Sequence, residues 1–184
     1  MSQQATPPNK LTRVAVIGAC CSGKTTFAQS LGAKTGLPHI ELDQLYWRPN
    51  WTPTPDPEFR GIVEKEVGKP EWIIVGNYSK VRDLVWGAAT TLVWLNYPFR
   101  IVFSRSLYRT FKRAVTREQL FNGNRETLRM AFTPEWIPWW VIQTHGKIRA
   151  EYPQVFQAPE YSHLRVLEFK HPRQAEHFLA SGRS

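Results

Sequence analysis

The residues Gly18, Ala19, Cys20, Cys21, Ser22, Gly23, Lys24, Thr25 and Thr26 run consecutively and fit the pattern G-x-x-x-x-G-K-[ST]. The pattern has a mechanism. Glycines let backbone N–H groups converge on an anion, the lysine reaches the β- and γ-phosphates, and the hydroxyl after it ligates Mg²⁺. Residues 18–26 are therefore the expected cradle for ATP, with Lys24 on its phosphates and Thr25 on the metal.

Other residues bear on what would happen to a bound triphosphate. Asp43, in "IELDQLYW", could hold Mg²⁺ through water or accept a proton from an acceptor hydroxyl. Asn77 and Tyr78 follow an apolar run and could touch an acceptor. Arg105, Arg109 and Arg113 recur every four residues, so on a helix they share one face. Such a face supplies charge-assisted, often bidentate hydrogen bonds to a transferring phosphoryl group. The pair Cys20-Cys21 reads mainly as small loop residues offering backbone N–H groups. A thiolate near Lys24 and a helix N-terminus is the other reading, and its oxidation would block phosphate binding.

These residues need elements to hold them. "RVAVIG" reads as a buried strand, and Lys24 to Lys34 as a helix burying Phe27, Ala28 and Leu31 and stopped by Gly36. "PHIELD", "EWIIVGN", "TTLVWLNY" and "HLRVLEF" read as four more strands. Helices are expected at "EFRGIVEKEV", after Pro98, from about Glu135 to Tyr152, and at "PRQAEHFLA". On the helix after Pro98 the stripe Phe103, Leu107, Phe111 is expected to pack while the arginine stripe faces an anion. Asn122-Gly123 marks a break or short lid, with Arg117 and Arg125 on either side of it. Tyr46, Trp47 and Trp51, around the proline-rich "RPNWTPTPDP", either stack on a base or staple that loop, whereas Trp136, Trp139 and Trp140 read as packing.

Alternating strands and helices imply an α/β fold with a central, mostly parallel five-stranded sheet and helices on both faces, binding ligands at the carboxyl ends of its strands. The glycine-rich stretch sits between a strand and a helix, the context it requires. Residues 11–184 read as one domain and residues 1–10 as a flexible tail.

Composition narrows the function classes. The 184 residues are 42% hydrophobic and 21% charged, which excludes a disordered chain. No run approaches a membrane span and the start is polar, so a cytoplasmic protein without a membrane partner is expected. Two adjacent cysteines and five scattered histidines match no zinc spacing. The formal charge of +9 calls for an anionic partner. Its excess is concentrated between Phe99 and Met130, where Arg100, Arg105, Arg109, Lys112, Arg113, Arg117, Arg125 and Arg129 outnumber Glu118 and Glu126.

The segments "RVAVIGACCSGKTT", "LPHIELDQLYWRPNW", "GNYS", "TTLVWLNYP" and "LFNGNRETLR" together resemble the small adenylate-kinase-like P-loop proteins of bacteria, some labelled DNA topology modulation proteins. The resemblance spans roughly Arg13 to Ala180. It implies a nucleoside-monophosphate-kinase-like fold with ATP on the phosphate loop and lid arginines between the nucleotides. One departure is Val75-Gly76-Asn77-Tyr78 where such proteins often have Asp-Gly-Asn-Tyr; it leaves Asp43 as the main acidic candidate.

The expectation is an ATP- and Mg²⁺-dependent small-molecule kinase. Lys24, Asp43, Arg105, Arg109 and Arg113 are its catalytic set, and Asp43, Asn77 and Tyr78 hold the acceptor. The alternative is a nucleotide-dependent nucleic-acid-binding or regulatory protein with slow hydrolysis; no recognised nucleic-acid module favours it.

Overall fold

In a computed structural model, residues 11–116, 121–123 and 137–181 are described. The expected tail at residues 1–10, Arg117, Arg125, Trp136 and most of the expected lid lie outside them. The chain runs β1 (Arg13–Gly18), α1 (Lys24–Thr35), β2 (His39–Glu41), α2 (Leu42–Tyr46), β3 (Trp47–Arg48), β4 (Thr52–Pro53), α3 (Asp56–Val67), β5 (Trp72–Val75), α4 (Arg82–Ala88), β6 (Thr91–Leu95), α5 (Phe99–Thr116), α6 (Ile137–Phe156), β7 (Arg165–Phe169) and α7 (Pro172–Ala180).

Five strands form one parallel sheet in the order β2-β5-β1-β6-β7. Side chains alternate across it, as the period of a strand requires. Val14, Val16, Ile73, Val75, Val93 and Leu95 point to one core, which α1, α5, α7 and the start of α6 cover. Ala15, Ile17, Trp72, Ile74, Leu92 and Trp94 point to the other, under α3, α4 and the end of α6. In the central strands β1, β5 and β6 both faces are apolar, which explains why they read as continuous hydrophobic runs rather than alternating ones. Phe27, Ala28 and Leu31 of α1 are buried, and Gly36 ends the helix in the left-handed region with its N–H on the Gly32 carbonyl.

Several expectations change. "PHIELD" is strand only through Glu41; the chain then turns into the short α2, so Asp43 lies in a helix's first turn and does not end the strand. Neither α2 nor α4 has the length to show a helical period. The proline-rich stretch contains a small antiparallel hairpin of β3 and β4. On α5 the stripe of Phe103, Leu107 and Phe111 does not pack as a unit: Leu107 is 42% and Phe111 72% exposed, and Val102 and Ser106 are the fully buried positions. Trp139 and Trp140 are likewise exposed, at 45% and 54%, and are not core residues. The α6 sequence has its buried set at Pro138, Val141, His145 and Tyr152 instead. Among the described residues no helix is long and apolar enough to cross a membrane.

Candidate active site

The loop between β1 and α1 lies at the carboxyl edge of the sheet's central strand, where β5 and β6 flank it. That is the crevice in which open α/β sheets bind ligands. Gly18 is held at φ 150°, and a Cβ there would stand 2.7 Å from the Leu95 carbonyl oxygen and 2.8 Å from Ser22 Oγ, so only glycine fits. Gly23, at φ 92°, turns the chain into α1. The Lys24 ammonium folds back and donates to the carbonyls of Gly18 at 3.0 Å and Ala19 at 3.1 Å, which holds it beside the loop's mouth.

Asn77 serves this loop from the far side. Its Oδ1 accepts from the Gly18 N–H at 3.2 Å and its Nδ2 donates to the Gly18 carbonyl at 2.5 Å. Both ends of its amide are bonded to the first glycine of the loop. Asn77 therefore positions the cradle rather than facing the large cleft, whose lining omits both Asn77 and Tyr78.

The cleft has a volume of about 970 Å³. It is lined by Lys24, Thr25, Glu41 and Asp43, by Arg105, Arg109 and Arg113, and by Trp47 and Trp51 among others. All three arginines of the stripe reach this space. Arg105 Nη1 donates to the Ser22 carbonyl at 3.1 Å, and its guanidinium lies 5.6 Å from the centre of the Tyr97 ring. Arg109 Nη1 reaches Cys21 Sγ at 3.7 Å.

Asp43 is held by Tyr78, whose hydroxyl donates to Oδ1 at 2.6 Å. Burial, with the Asp43 charge behind it, pushes the Tyr78 phenol up, so the phenol keeps its proton and remains a donor. Tyr78 thus orients Asp43 rather than contacting the cleft. Sequence reasoning missed Glu41. It is 4% exposed, lines the cleft, and has an oxygen, Oε1, with no hydrogen-bond partner. His39 Nε2 lies 3.6 Å from that oxygen, which is ion-pair range and too long for a hydrogen bond. Burial raises the Glu41 carboxyl above the usual range; the Thr25 hydroxyl opposes that shift, and neighbouring Asp43 adds to it. The available signal was its place two residues before Asp43, at the end of a strand.

An unpartnered, buried carboxylate oxygen near Thr25 and Asp43 fits a hard divalent cation with oxygen ligands. Among the described residues no cluster of three or more His, Cys, Asp or Glu side chains forms a metal cage. The donor set suits Mg²⁺, which keeps waters and takes few protein ligands.

The aromatic wall rests on α2 and the hairpin. Trp47 stands edge-on to Tyr46 and to Trp51, with ring centres 5.0 Å and 5.7 Å away, and Tyr46 packs on Phe59 and Tyr78. Asn50 and Trp51 lie at φ 60° and 54°, left-handed values that a bulky residue rarely takes. Asn122, itself at φ 54°, donates through Nδ2 to the carbonyls of Gln44, at 3.1 Å, and Trp47. The expected break at Asn122-Gly123 is thus a tight turn pinned to the aromatic wall.

A second cavity of about 340 Å³ lies on the other side of the loop, lined by Ser22, Thr26, Tyr97, Arg105, Pro172 and Leu179 among others. It meets the first at Cys21, Gly23, Thr26 and Arg105.

Burial, a positive neighbourhood and mutual hydrogen bonding act together on the cysteines. The S–H of Cys21 is the main cause lowering Cys20 to about 6, with Lys24 and Arg109 assisting against burial, while Cys21 is pushed up.

Solved structures share this fold over most of their length. A shikimate kinase from Bacteroides thetaiotaomicron aligns at 14% identity, covering 94% of this chain and 96% of its own, with a TM-score of 0.54. A shikimate kinase from Acinetobacter baumannii in complex with shikimate aligns at 16%, covering 94% and 93%, with a TM-score of 0.52. A gluconokinase from Sinorhizobium meliloti 1021 aligns at 14%, covering 94% and 91%, with a TM-score of 0.50. The fold is that of the small P-loop kinases. No family model and no curated protein matches the chain. The neighbours agree with the kinase-like part of the sequence resemblance; the DNA topology label rests on that resemblance alone.

Proposed function

We propose that this protein is an ATP- and Mg²⁺-dependent small-molecule kinase that transfers the γ-phosphoryl group of ATP to a hydroxyl of an acceptor bound beside Asp43. The observation carrying this reading is the convergence of the Gly18–Thr26 loop, the Glu41-Asp43 carboxylates and three arginines on one cleft. Three fold neighbours bear the names of kinases acting on small hydroxylated acids, which supports a hydroxyl acceptor.

ATP would lie with its phosphates on the loop N–H groups and the N-terminus of α1, and its nucleoside in the smaller cavity between Arg105 and Pro172. Lys24 would exchange two loop carbonyls for phosphate oxygens. Thr25, Glu41 and Asp43 would hold Mg²⁺, directly or through water. Bound there, Mg²⁺ supplies positive charge to the phosphate oxygens.

Asp43 also accepts the proton of the acceptor hydroxyl as its oxygen bonds to the γ-phosphorus and the bond to the ADP oxygen breaks. Tyr78 keeps the carboxylate aimed during that step. Arg109 and Arg113 neutralise charge on the moving group and restrict water. Trp47 and Trp51 offer a face for the acceptor's ring or C–H edges.

The arginine stripe points inward, toward this cleft, which favours a kinase over a protein that tracks a nucleic-acid backbone. The test is incubation with Mg-ATP and a panel of sugars, sugar acids, other hydroxy acids and nucleoside monophosphates, with Lys24→Ala as control. Stoichiometric ADP and phosphorylated acceptor, absent in the variant, are expected. ATP hydrolysis that rises only with added DNA or RNA, without transfer to any small acceptor, would favour the other reading.

A further inference from the structure

The kinase reading assigns no chemistry to two sulfurs in the middle of the phosphate cradle. Side chains of adjacent residues in extended chain point to opposite sides. Here Cys21 is in the left-handed region, at φ 62°, and its sulfur lies 3.9 Å from that of Cys20. Both residues are partly buried, and both line the large cleft. Two cations sit close by: the Arg109 guanidinium, within 3.7 Å of Cys21 Sγ, and the Lys24 ammonium, on the carbonyl of Ala19 next to Cys20. Positive surroundings and partial exposure are what distinguish reactive cysteines from inert buried ones.

We propose that Cys20 and Cys21 are a hydroperoxide-sensitive dithiol whose oxidation to a vicinal disulfide closes the phosphate loop to nucleotide. One thiolate of the pair attacks the peroxide's O–O bond. The sulfur becomes a sulfenic acid, and the other peroxide oxygen leaves and takes a proton. The second sulfur then attacks the first, an S–S bond forms, and the departing hydroxide leaves as water with the second thiol's proton. The two thiols are oxidised and the peroxide is reduced.

The structural consequence follows from distance. A disulfide bond is about 2.05 Å long, so the sulfurs must close much of their 3.9 Å separation. That movement re-aims the backbone N–H groups of residues 20–22, which the cradle needs. Adjacent Cα atoms are about 3.8 Å apart, below the spacing of ordinary disulfides, so the bond would be strained and readily reduced by cellular thiols. Linkage runs both ways: phosphate in the loop should shield the thiols.

The proposal rests on residues 18–26 being a phosphate site, and the experiment separates the two claims. Fully reduced protein is titrated with Mg-ATP by calorimetry, treated with hydrogen peroxide, digested, mapped by mass, and titrated again before and after a thiol reductant. The expected result is loss of two hydrogens within the peptide bearing both cysteines. Affinity should fall about tenfold or more, return on reduction, and oxidation should slow when ATP or inorganic triphosphate is present. The ratio of affinities before and after peroxide should be one in Cys20→Ser/Cys21→Ser, whatever that variant's own affinity; the wild-type mass map and protection stand without it. An oxidised protein that binds ATP as the reduced one does overturns the switch, as does a peroxide effect that persists in the double variant. If reduced protein binds no ATP at all, the phosphate site itself is wrong and the switch falls with it.

Discussion

The two sides of the cleft are built differently. The side we propose for the nucleotide is nearly continuous chain: β1, the loop and the start of α1 supply its glycines, lysine and hydroxyls from residues 18–26. The side we propose for the acceptor is assembled from α2, the β3–β4 hairpin, the turn at Asn122 and the inner face of α5, elements up to about eighty positions apart in sequence. A local motif needs only a strand and a helix to aim it. A discontinuous wall depends on every packing contact behind it, so its chemistry can change while the loop stays the same.

Substitutions should separate these sides. The largest effect is expected for Lys24→Ala, which removes a cation from the phosphates: transfer should fall about a thousandfold while the far-UV spectrum and melting temperature stay close to those of the parent. Retained turnover would remove the nucleotide side from the mechanism.

Next comes Asp43→Asn, with turnover lower by about a hundredfold and ATP affinity little changed, measured by steady-state kinetics and calorimetry. An ATP affinity lost in step with turnover would place Asp43 mainly on the metal.

Glu41→Gln should divide activity from stability. Burial raises this carboxyl's pKa in the folded chain above its unfolded value, so the folded state binds the proton more tightly. Stability contributed by Glu41 therefore falls as the pH climbs from the unfolded value through the folded one. Without metal or nucleotide, the glutamine variant should melt higher at neutral pH than the parent. Its Mg²⁺ requirement should rise roughly tenfold or more. Scanning fluorimetry in a chelator and a Mg²⁺ titration of activity measure the two effects, and a lowered melting temperature would contradict the burial argument.

The smaller effects test the boundary between the sides. Asn77→Ala removes the side-chain acceptor of the Gly18 N–H and one of the two donors to its carbonyl, Lys24 being the other, and should cost about 1–3 kcal/mol in chemical denaturation, with weaker ATP binding. Trp51→Ala should raise the acceptor's KM about tenfold and leave that for ATP alone. An equal rise for both substrates would mean that the aromatic wall shapes the whole cleft.

The sequence by itself determined the five strands, the burial of β1, β5 and β6, the helix after the glycine-rich loop and the glycine turn between strand and helix. Each of these is a short-range fact: a run of apolar residues, a Gly-Lys-Thr spacing, a glycine that stops a helix. The arginine stripe was legible as well, because a four-residue repeat fixes a helix face without reference to partners. Its facing stripe was not: Leu107 and Phe111 have the right spacing for a core, but what lies across from them is decided by where α5 sits on the sheet.

The roles of Asn77, Tyr78 and Glu41 depended on tertiary structure for the same reason. Asn77 finds Gly18 across fifty-nine positions, Tyr78 finds Asp43 across thirty-five, and Glu41 becomes a buried carboxylate with one oxygen lacking a hydrogen bond only when β2 is laid beside β5. A spacing pattern records the geometry of one element. Hydrogen bonds and burial between elements arise only when the sheet brings them together, and that decides which polar residues face a ligand and which hold the ones that do.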